Sequence, residues 1–500
     1  MNAIAVTTPA ELPKIDLAEL LHDRVTVAPV RVRRLRVDSR FVAPGDAFIA
    51  LPGRGGHGLD YVESAARAGA VAVLFDASRE SANVPAGVRG IAVPGLERDF
   101  AQIADRAYRS PSAGTRVLAV TGTNGKTTTA WLLAGAYRSL GEPGGYIGTL
   151  GEGPIDALRP ASHTTPDVFS LQASLRDLVD AGAAHVAMEV SSQGLDQQRT
   201  DGVRIYAAAF TNLTRDHLDY HGTMEAYEAA KRRLFATPGL RHAVINMASE
   251  AGQRFVAAVP PGVQVTTVGP RVDGYGRFVC ATRIVPTGRG IEIAGDSHAG
   301  PFTLQARLVG AFNAENILVA LGLMLADGIE PDRAAAALSK SAAPPGRMEQ
   351  WCLPNGVLVI VDYAHTPDAL AKALESLRPH CRGALWCLFG CGGDRDKGKR
   401  PAMGAVAERL ANRIVLTDDN PRSEESAAII ADILAGLEDP KHARVEPDRT
   451  RAIVETCASA VQGDIVLVAG MGHEEGQIYG TLRRPHSDRA VVAALAGAAP

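Results

Sequence analysis

The chain has 500 residues, 46% of them hydrophobic, and a formal net charge of −3, which is more than one core usually organises, so two to four domains are expected. No block of about five or more like charges occurs, so a nucleic acid finds no electrostatic landing surface and small-molecule substrates are favoured. No apolar run reaches the length of a membrane span, and Met1 to Leu20 lacks a continuous apolar core, so no membrane insertion and a cytoplasmic location are expected.

Short strand-like runs open the chain at Ala47 to Leu51, Ala70 to Leu74 and Gly90 to Val93, with a helix-like segment at Leu59 to Ala68. They predict a small α/β unit. Arg31, Arg33, Arg34 and Arg36 alternate with apolar residues, as on one solvated strand face. Punctuated stretches at Arg109-Ser-Pro-Ser-Ala-Gly-Thr115 and Ser341-Ala-Ala-Pro-Pro-Gly346 predict three domains, at residues 1–112, 113–345 and 346–500.

The most informative stretch follows. Val120-Thr-Gly122-Thr123-Asn124-Gly125-Lys126-Thr127-Thr128-Thr129 joins an apolar strand-like run, Arg116 to Val120, to a helix-like one, Ala130 to Leu140. It reads as a phosphate-binding loop. Small residues let backbone N–H groups face phosphate oxygens, Lys126 reaches the β/γ-phosphates, and the Thr127 hydroxyl suits Mg²⁺. Val120 stands where the common pattern has Gly, so Gly122 must open the turn. The chain lacks an Asn-Lys-x-Asp guanine reader, so ATP is preferred to GTP.

Val117 to Val120, His185 to Val190, Ala207 to Thr211 and His242 to Asn246 are apolar or β-branched runs, each followed by turns and helical stretches. That pattern predicts a parallel sheet covered by helices. Ligands of such sheets gather at the carboxyl ends of strands. Glu189 occupies such a place, and Thr211-Asn-Leu-Thr-Arg-Asp216-His217-Leu-Asp219-Tyr-His221-Gly222 follows another strand with two acids and two histidines in its last seven residues. Alone, either cluster reads equally well as a solvated loop. Beside a Gly-Lys-Thr loop, they supply the ligands that metal ions bridging a nucleotide and an acceptor need.

Val357 to Val361, Ala384 to Phe389, Arg413 to Leu416 and Ile465 to Ala469 predict a second doubly wound, Rossmann-like unit. Its Gly390-Cys-Gly392-Gly393 does not fit G-x-G-x-x-G, so dinucleotide binding is not expected. Six cysteines, at 280, 352, 381, 387, 391 and 457, are scattered without C-x-x-C pairs. They suggest reduced thiols, with neither a disulfide framework nor a zinc site.

Thr121-Gly-Thr-Asn-Gly-Lys-Thr-Thr128, Ala187-Met-Glu-Val-Ser-Ser192, the 211–222 run, Gly310-Ala-Phe-Asn313-Ala-Glu-Asn316, Gly346-Arg-Met-Glu349 and Asp362-Tyr-Ala-His-Thr-Pro367 together resemble the Mur ligases of peptidoglycan assembly. The resemblance spans nearly the whole chain. Val37-Asp-Ser39-Arg40 with Gly45-Asp46, and Asp419-Asn-Pro-Arg422, resemble the members that add the third amino acid of the stem peptide. It implies that the γ-phosphoryl of ATP passes to a carboxylate and that an amine then displaces phosphate from the acyl phosphate. Two Mg²⁺ are implied, one near Thr127 and Glu189, the other near His217 and a CO₂-derived carbamate on Lys231. Lys126, Lys231, Glu189 and His217 are then the catalytic set.

Further ATP contacts are implied at Asn313 and Asn316, whose i, i+3 spacing would turn both amides towards adenine or ribose, and at Arg347, Asp362 and His365. The implied substrate is UDP-N-acetylmuramoyl-L-alanyl-D-glutamate, with its UDP part at Val37, Ser39, Arg54, Gly55 and Gly56. Thr164, Thr165, Ser191, Gln197 and Arg199 would line the path of the muramoyl dipeptide. For the amine, Asp419, Asn420, Pro421 and Arg422, with Arg395, Gly470 and Glu474, resemble a meso-diaminopimelate pocket. The Arg422 fork suits that acceptor's second carboxylate and would repel the ammonium of lysine. Many relatives carry Lys where Met471 stands. A monomer acting on small molecules is expected, with a lysine-adding member or a folylpolyglutamate synthase-like ligase as the alternatives.

Overall fold

The computed structural model describes residues 14–53, 56–79, 83–287 and 290–497. Apolar runs that alternate with amphipathic helices fold into three successive α/β units, each around its own sheet. The first is a parallel sheet in spatial order Leu35–Arg36, Ala47–Ala50, Ala72–Asp76 and Arg89–Val93. Of the four alternating arginines, Arg34 and Arg36 are not simply solvated: they lie 3.2 Å from Asp177 and 3.5 Å from Asp46.

The second sheet has ten strands, in spatial order Gly151–Pro154, Gly145–Gly148, His185–Glu189, Arg116–Thr121, Ile205–Phe210, His242–Asn246, Gln264–Val268, Phe278–Thr287, Gly290–Ser297 and Gly300–Ala306. Its middle is parallel, as the apolar runs predict, whereas Gly151–Pro154 at one edge and the last two strands at the other pair antiparallel. One face packs on helix Lys126–Ser139 and on helix Ala311–Ala326, whose length from Asn313 onwards is almost wholly buried. The other face packs on helix Val168–Asp180, Phe235 and Phe255. Cutting a side chain such as Ile317, 1% exposed, back to Ala is expected to cost about 2–5 kcal/mol.

The third sheet runs Glu349–Cys352, Leu358–Asp362, Ile465–Ala469, Leu385–Phe389, Arg413–Leu416 and Ala443–Val445, parallel except for its first strand. The six cysteines are free thiols. Among the described residues, no helix is long and apolar enough to cross a membrane. In the second and third units the carboxyl ends of the strands carry loops that build the site, as expected for open α/β sheets.

Candidate active site

Strand Arg116–Thr121 ends in a turn that only glycine tolerates. Gly122 has φ +148°, and a Cβ there would stand 1.9 Å from Thr211 Oγ1; Gly125 has φ +87°, and its Cβ would meet Asn316 Oδ1 at 2.1 Å. Helix Lys126–Ser139 then begins on Gly125 with no side-chain cap. Its first N–H groups are therefore left for an external acceptor, the arrangement that favours phosphate. The loop is stapled to the end of the next strand: Thr123 N donates to Asn212 O at 2.8 Å, Asn124 N to Asn212 Oδ1 at 3.0 Å, and Thr211 Oγ1 to Asn124 O at 2.6 Å.

Lys126 Nζ folds back onto its own loop, donating to the carbonyls of Gly122 (2.9 Å) and Thr123 (2.8 Å). Burial pushes its pKa down, against the pull of Glu189 and Asp216. Thr127 Oγ1 donates to Glu189 Oε2 at 2.8 Å. Glu189 ends its strand with 0% exposure, yet no lysine, arginine or histidine among the described residues forms an ion pair with it. Its charge is met by neutral donors: Tyr146 Oη at 2.5 Å, Thr149 N at 2.8 Å and Thr149 Oγ1 at 3.3 Å, besides Thr127.

Lys231 enters from helix Met224–Arg232, whose first turn is capped by Thr223 accepting from Ala226 N at 3.2 Å. Far from a helix-surface lysine, it is 1% exposed, donates to Gly122 O at 2.8 Å and lies 4.4 Å from the centre of the Tyr227 ring. Burial first, and then the Lys126 ammonium, hold its amine well below the ordinary lysine range. His217 sits at φ +52°, edge-on to Tyr227 at 6.1 Å between ring centres. Burial lowers its pKa.

These groups open onto one cavity of about 530 Å³, lined by Thr123 to Thr128, Glu189, His217 and Lys231, by Thr164, Thr165, Ser191, Gln197 and Arg199 opposite the loop, and by Arg347 and Tyr363 from the third unit. The wall opposite the loop is knitted together. Thr165 Oγ1 donates to Ser191 Oγ (3.2 Å), Ser191 Oγ accepts from Gly194 N (3.0 Å), and Arg199 donates to Thr165 O (2.8 Å) and Gln197 Oε1 (2.7 Å). The Arg347 guanidinium lies 4.6 Å from the centre of the Tyr363 ring.

Other expected residues lie elsewhere. The amides of Asn313 and Asn316 make contacts within the protein: Asn313 Nδ2 donates to Val309 O (2.8 Å), Asn316 Nδ2 donates to Asn313 Oδ1 (3.1 Å), and Asn316 Oδ1 stands against Gly125. Asp362 and His365 are outside the cavity lining. Asp362 accepts from Met348 N (2.8 Å) and Ala364 N (2.9 Å), and exposed His365 contacts Tyr363 O (2.8 Å). Val37 and buried Ser39 belong to the first unit and do not line this cavity, although Asp38 between them feels the charge of His163 in its wall, and Gly56 is exposed. Arg54 and Gly55 lie outside the described residues.

Asp419, Asn420, Pro421 and Arg422 form a second cluster at the carboxyl edge of the third sheet. Arg422, at φ +54°, is fixed by its backbone N–H to Ile478 O at 2.9 Å and by Nη1 to Gly393 O at 2.8 Å. Asn420 Nδ2 donates to Glu474 Oε2 at 2.9 Å. A Cβ on Gly470, at φ +114°, would meet Asp419 Oδ2 at 2.6 Å, and Gly393 admits Pro421 O to 1.8 Å from where its Cβ would be. The glycines that fail a dinucleotide pattern thus serve this loop. Burial raises the Glu474 pKa. Arg395 is exposed and Met471 fully buried. Sequence reasoning missed Tyr146, Thr149, Asn212, Tyr227 and Tyr363. The first two lie in, and just after, the short strand Gly145–Gly148, which has little periodic signal, and the others act through contacts distant in the chain.

Three family models match: the Mur ligase family catalytic domain over residues 31–108, the Mur ligase middle domain over 120–324, and the Mur ligase glutamate ligase domain over 346–472. A relative from Xanthomonas campestris pv. campestris, named UDP-N-acetylmuramoyl-L-alanyl-D-glutamate–2,6-diaminopimelate ligase, is 45% identical over 478 residues, 95% of this chain and 96% of its own. A solved structure titled with the same ligase name aligns at TM-score 0.69 and 33% identity, over 97% of this chain and 99% of that one. A folylpolyglutamate synthase from Mycobacterium tuberculosis shares the fold at TM-score 0.59 and 19% identity, over 74% of this chain and 91% of its own. On these matches, and on the loop, carboxylate and lysine they accompany, the chain belongs to the Mur ligase family.

Proposed function

We propose that this protein joins the D-glutamyl carboxylate of UDP-N-acetylmuramoyl-L-alanyl-D-glutamate to meso-2,6-diaminopimelate at the expense of ATP, a step of peptidoglycan precursor synthesis. The likeness over almost the full length to a ligase of that name supports the substrates. The observation that carries the chemistry is the convergence of Lys126, the uncapped helix start, Glu189 and Lys231 on one cavity.

A free carboxylate acylates poorly because its leaving group is oxide. Transfer of the γ-phosphoryl to one carboxylate oxygen makes that oxygen a phosphate leaving group, and attack by the uncharged amine at the acyl carbon then expels phosphate and forms the amide. Lys126, released from the carbonyls of Gly122 and Thr123, moves its charge onto the phosphoryl oxygens, where negative charge builds. The N–H groups of the first helical turn hold the phosphates in line, and the Thr164–Arg199 wall orients the acceptor carboxylate.

Magnesium fits these residues. Among the described residues, buried Glu189 hydrogen-bonds only with uncharged donors, the Thr127 hydroxyl among them. Among the described residues no three His, Cys, Asp or Glu form a metal cage, so most ligands would come from phosphate and water, as magnesium prefers. Thr127 and Glu189 would hold one ion, and His217 with a carbamate on Lys231 a second. When bound, the ions neutralise phosphate charge. For Lys231, whose pKa burial lowers, the uncharged amine would add to CO₂ with loss of one proton, giving a carbamate that carries one negative charge over two oxygens.

Arg422 supports the acceptor assignment, since its guanidinium pairs with a second carboxylate and not with an ammonium. Purified protein is expected to release ADP only with both the UDP-muramoyl dipeptide and meso-diaminopimelate, giving a product whose mass is their sum less water. ADP release supported by a folate and glutamate instead, with none from the muramoyl substrate, would reject the reading.

A further inference from the structure

A fully buried carboxylate has about four acceptor positions, and in Glu189 they are unequally held. Oε1 takes the Tyr146 hydroxyl at 2.5 Å and the Thr149 backbone N–H at 2.8 Å. Neither partner can turn away: Tyr146 is 0% exposed within strand Gly145–Gly148, and the amide belongs to the main chain. Oε2 takes only two threonine hydroxyls, Thr127 at 2.8 Å and Thr149 at 3.3 Å. A hydroxyl rotates about one bond and can present a lone pair instead of a proton.

The space around this clamp is filled. A Cβ on Gly148 would lie 2.2 Å from Glu189 Oε1 and 2.5 Å from Tyr146 Oη, so glycine there lets the three groups meet. Thr149 Oγ1 also lies 3.0 Å from Thr164 Oγ1. That contact carries the clamp into the cavity wall opposite the phosphate loop.

We propose that Tyr146 and the Thr149 amide are positioning groups that commit Glu189 Oε1, leaving Oε2 as the single oxygen offered to a divalent cation, with the Thr149 hydroxyl linking that oxygen to the substrate wall through Thr164. This rests on the reading of Glu189 as a metal carboxylate. Once Oε1 is committed, the carboxylate can serve only one oxygen to the ion, which suits a small cation that keeps several waters. The Thr149 link predicts that acceptor-substrate binding and cation binding favour each other, because a group engaging Thr164 frees the Thr149 hydroxyl to reorient beside Oε2.

The test is Mn²⁺ binding to the full chain in the presence of ADP, read by electron paramagnetic resonance and so independent of turnover, with ADP affinity in EDTA as the control. Tyr146→Phe is expected to weaken Mn²⁺ about tenfold, in the range seen when the groups supporting a metal ligand are removed, while metal-free ADP affinity stays within about twofold. The Mg²⁺ concentration for half-maximal ligation should rise similarly, with kcat recovered at saturation. Thr149→Val, which keeps the amide, should abolish the gain in Mn²⁺ affinity that the UDP-muramoyl dipeptide gives the unmodified protein. Mn²⁺ affinity unchanged in Tyr146→Phe, or falling only in step with metal-free ADP affinity, overturns the clamp. Should Tyr146→Phe fail to fold by its melting profile, Thr149→Val decides, and an intact substrate effect on Mn²⁺ overturns the proposal. Clamp-sensitive Mn²⁺ binding without ligation would instead reject the proposed reaction and leave this inference standing.

Discussion

The nucleotide cavity and the Arg422 cluster are built on opposite plans. In the first, charges are left incompletely matched: Lys126 and Lys231 both donate to the carbonyl of Gly122, Glu189 forms no ion pair among the described residues, and the helix start has no side-chain cap. In the second, the groups are largely satisfied by the protein itself, with Asn420 on Glu474 and Arg422 on Gly393 O. The difference teaches how each works. The contrast suits the proposed roles: a site for a polyanion would keep donors open and let the ligand complete the electrostatics, whereas one that chooses between similar amino acids would be held in shape beforehand by its own contacts.

The comparison breaks most severely at Lys126. Lys126→Ala is expected to lower kcat/KM for ATP-dependent ligation on the order of 10³-fold, measured by ADP release, while far-UV circular dichroism stays unchanged; a loss below tenfold would mean the open donors do not carry the chemistry. Lys231→Ala should lose on the order of 10²-fold and regain part of it with formate or acetate, and full activity without such additives would remove its metal-bridging role. For the preformed cluster, Arg422→Ala should narrow the preference for meso-diaminopimelate over L-lysine by about 2–4 kcal/mol, with ATP kinetics nearly untouched. Comparable turnover of both acceptors by the unaltered enzyme would end the case built on that guanidinium.

The smallest effect sharpens the contrast from outside both sites. His185 stacks on Tyr137 at 4.1 Å between ring centres, has Nδ1 2.5 Å from Glu142 Oε2, and has Nε2 2.8 Å from Asp327 Oδ2, off the straight hydrogen-bond line. Arg116 shares Asp327. Burial alone would lower its pKa, but contacts with Asp327 and Glu142 carry it above the ordinary value of 6.5. A raised histidine stabilises fully below its unfolded pKa and loses that contribution as pH rises through the folded value. The melting-temperature gap between the unmodified protein and His185→Gln should therefore be about 2–4 °C near pH 5.5 and shrink towards pH 8.5. A gap that grows with pH would show the imidazole neutral when folded.

Much of this was legible in the sequence where local chemistry and position coincide. Strands His242–Asn246, Arg413–Leu416 and Ile465–Ala469 have the bounds that their apolar runs predict. The antiparallel strands Phe278–Thr287, Gly290–Ser297 and Gly300–Ala306 were not foreseen. Their alternation of polar and apolar residues is irregular, with Pro286 in the first and glycines in the other two, and β-pairing depends on partners more than on intrinsic preference. In the candidate site, the spacing of glycine and lysine foretells the glycine turn and the helix start that follows it. The direction of an amide is not legible in this way: Asn313 and Asn316 have the spacing for a shared face, and their amides make contacts within the protein, Asn316 against Gly125. Tyr146 carries no motif and Tyr363 sits inside the Asp362–Pro367 run with no role read for it; only the tertiary fold brings them to Glu189 and Arg347.

Arg347 follows the Pro344-Pro345-Gly346 joint, and with Tyr363 it closes a chamber whose other walls belong to the preceding unit. On the proposed reading, a chamber finished from across a joint shields a bound triphosphate from bulk solvent only when both bodies meet. Fuel lost to water would then be restrained by architecture, because the body that completes the reaction vessel is also the one that bears the proposed amino-acid pocket.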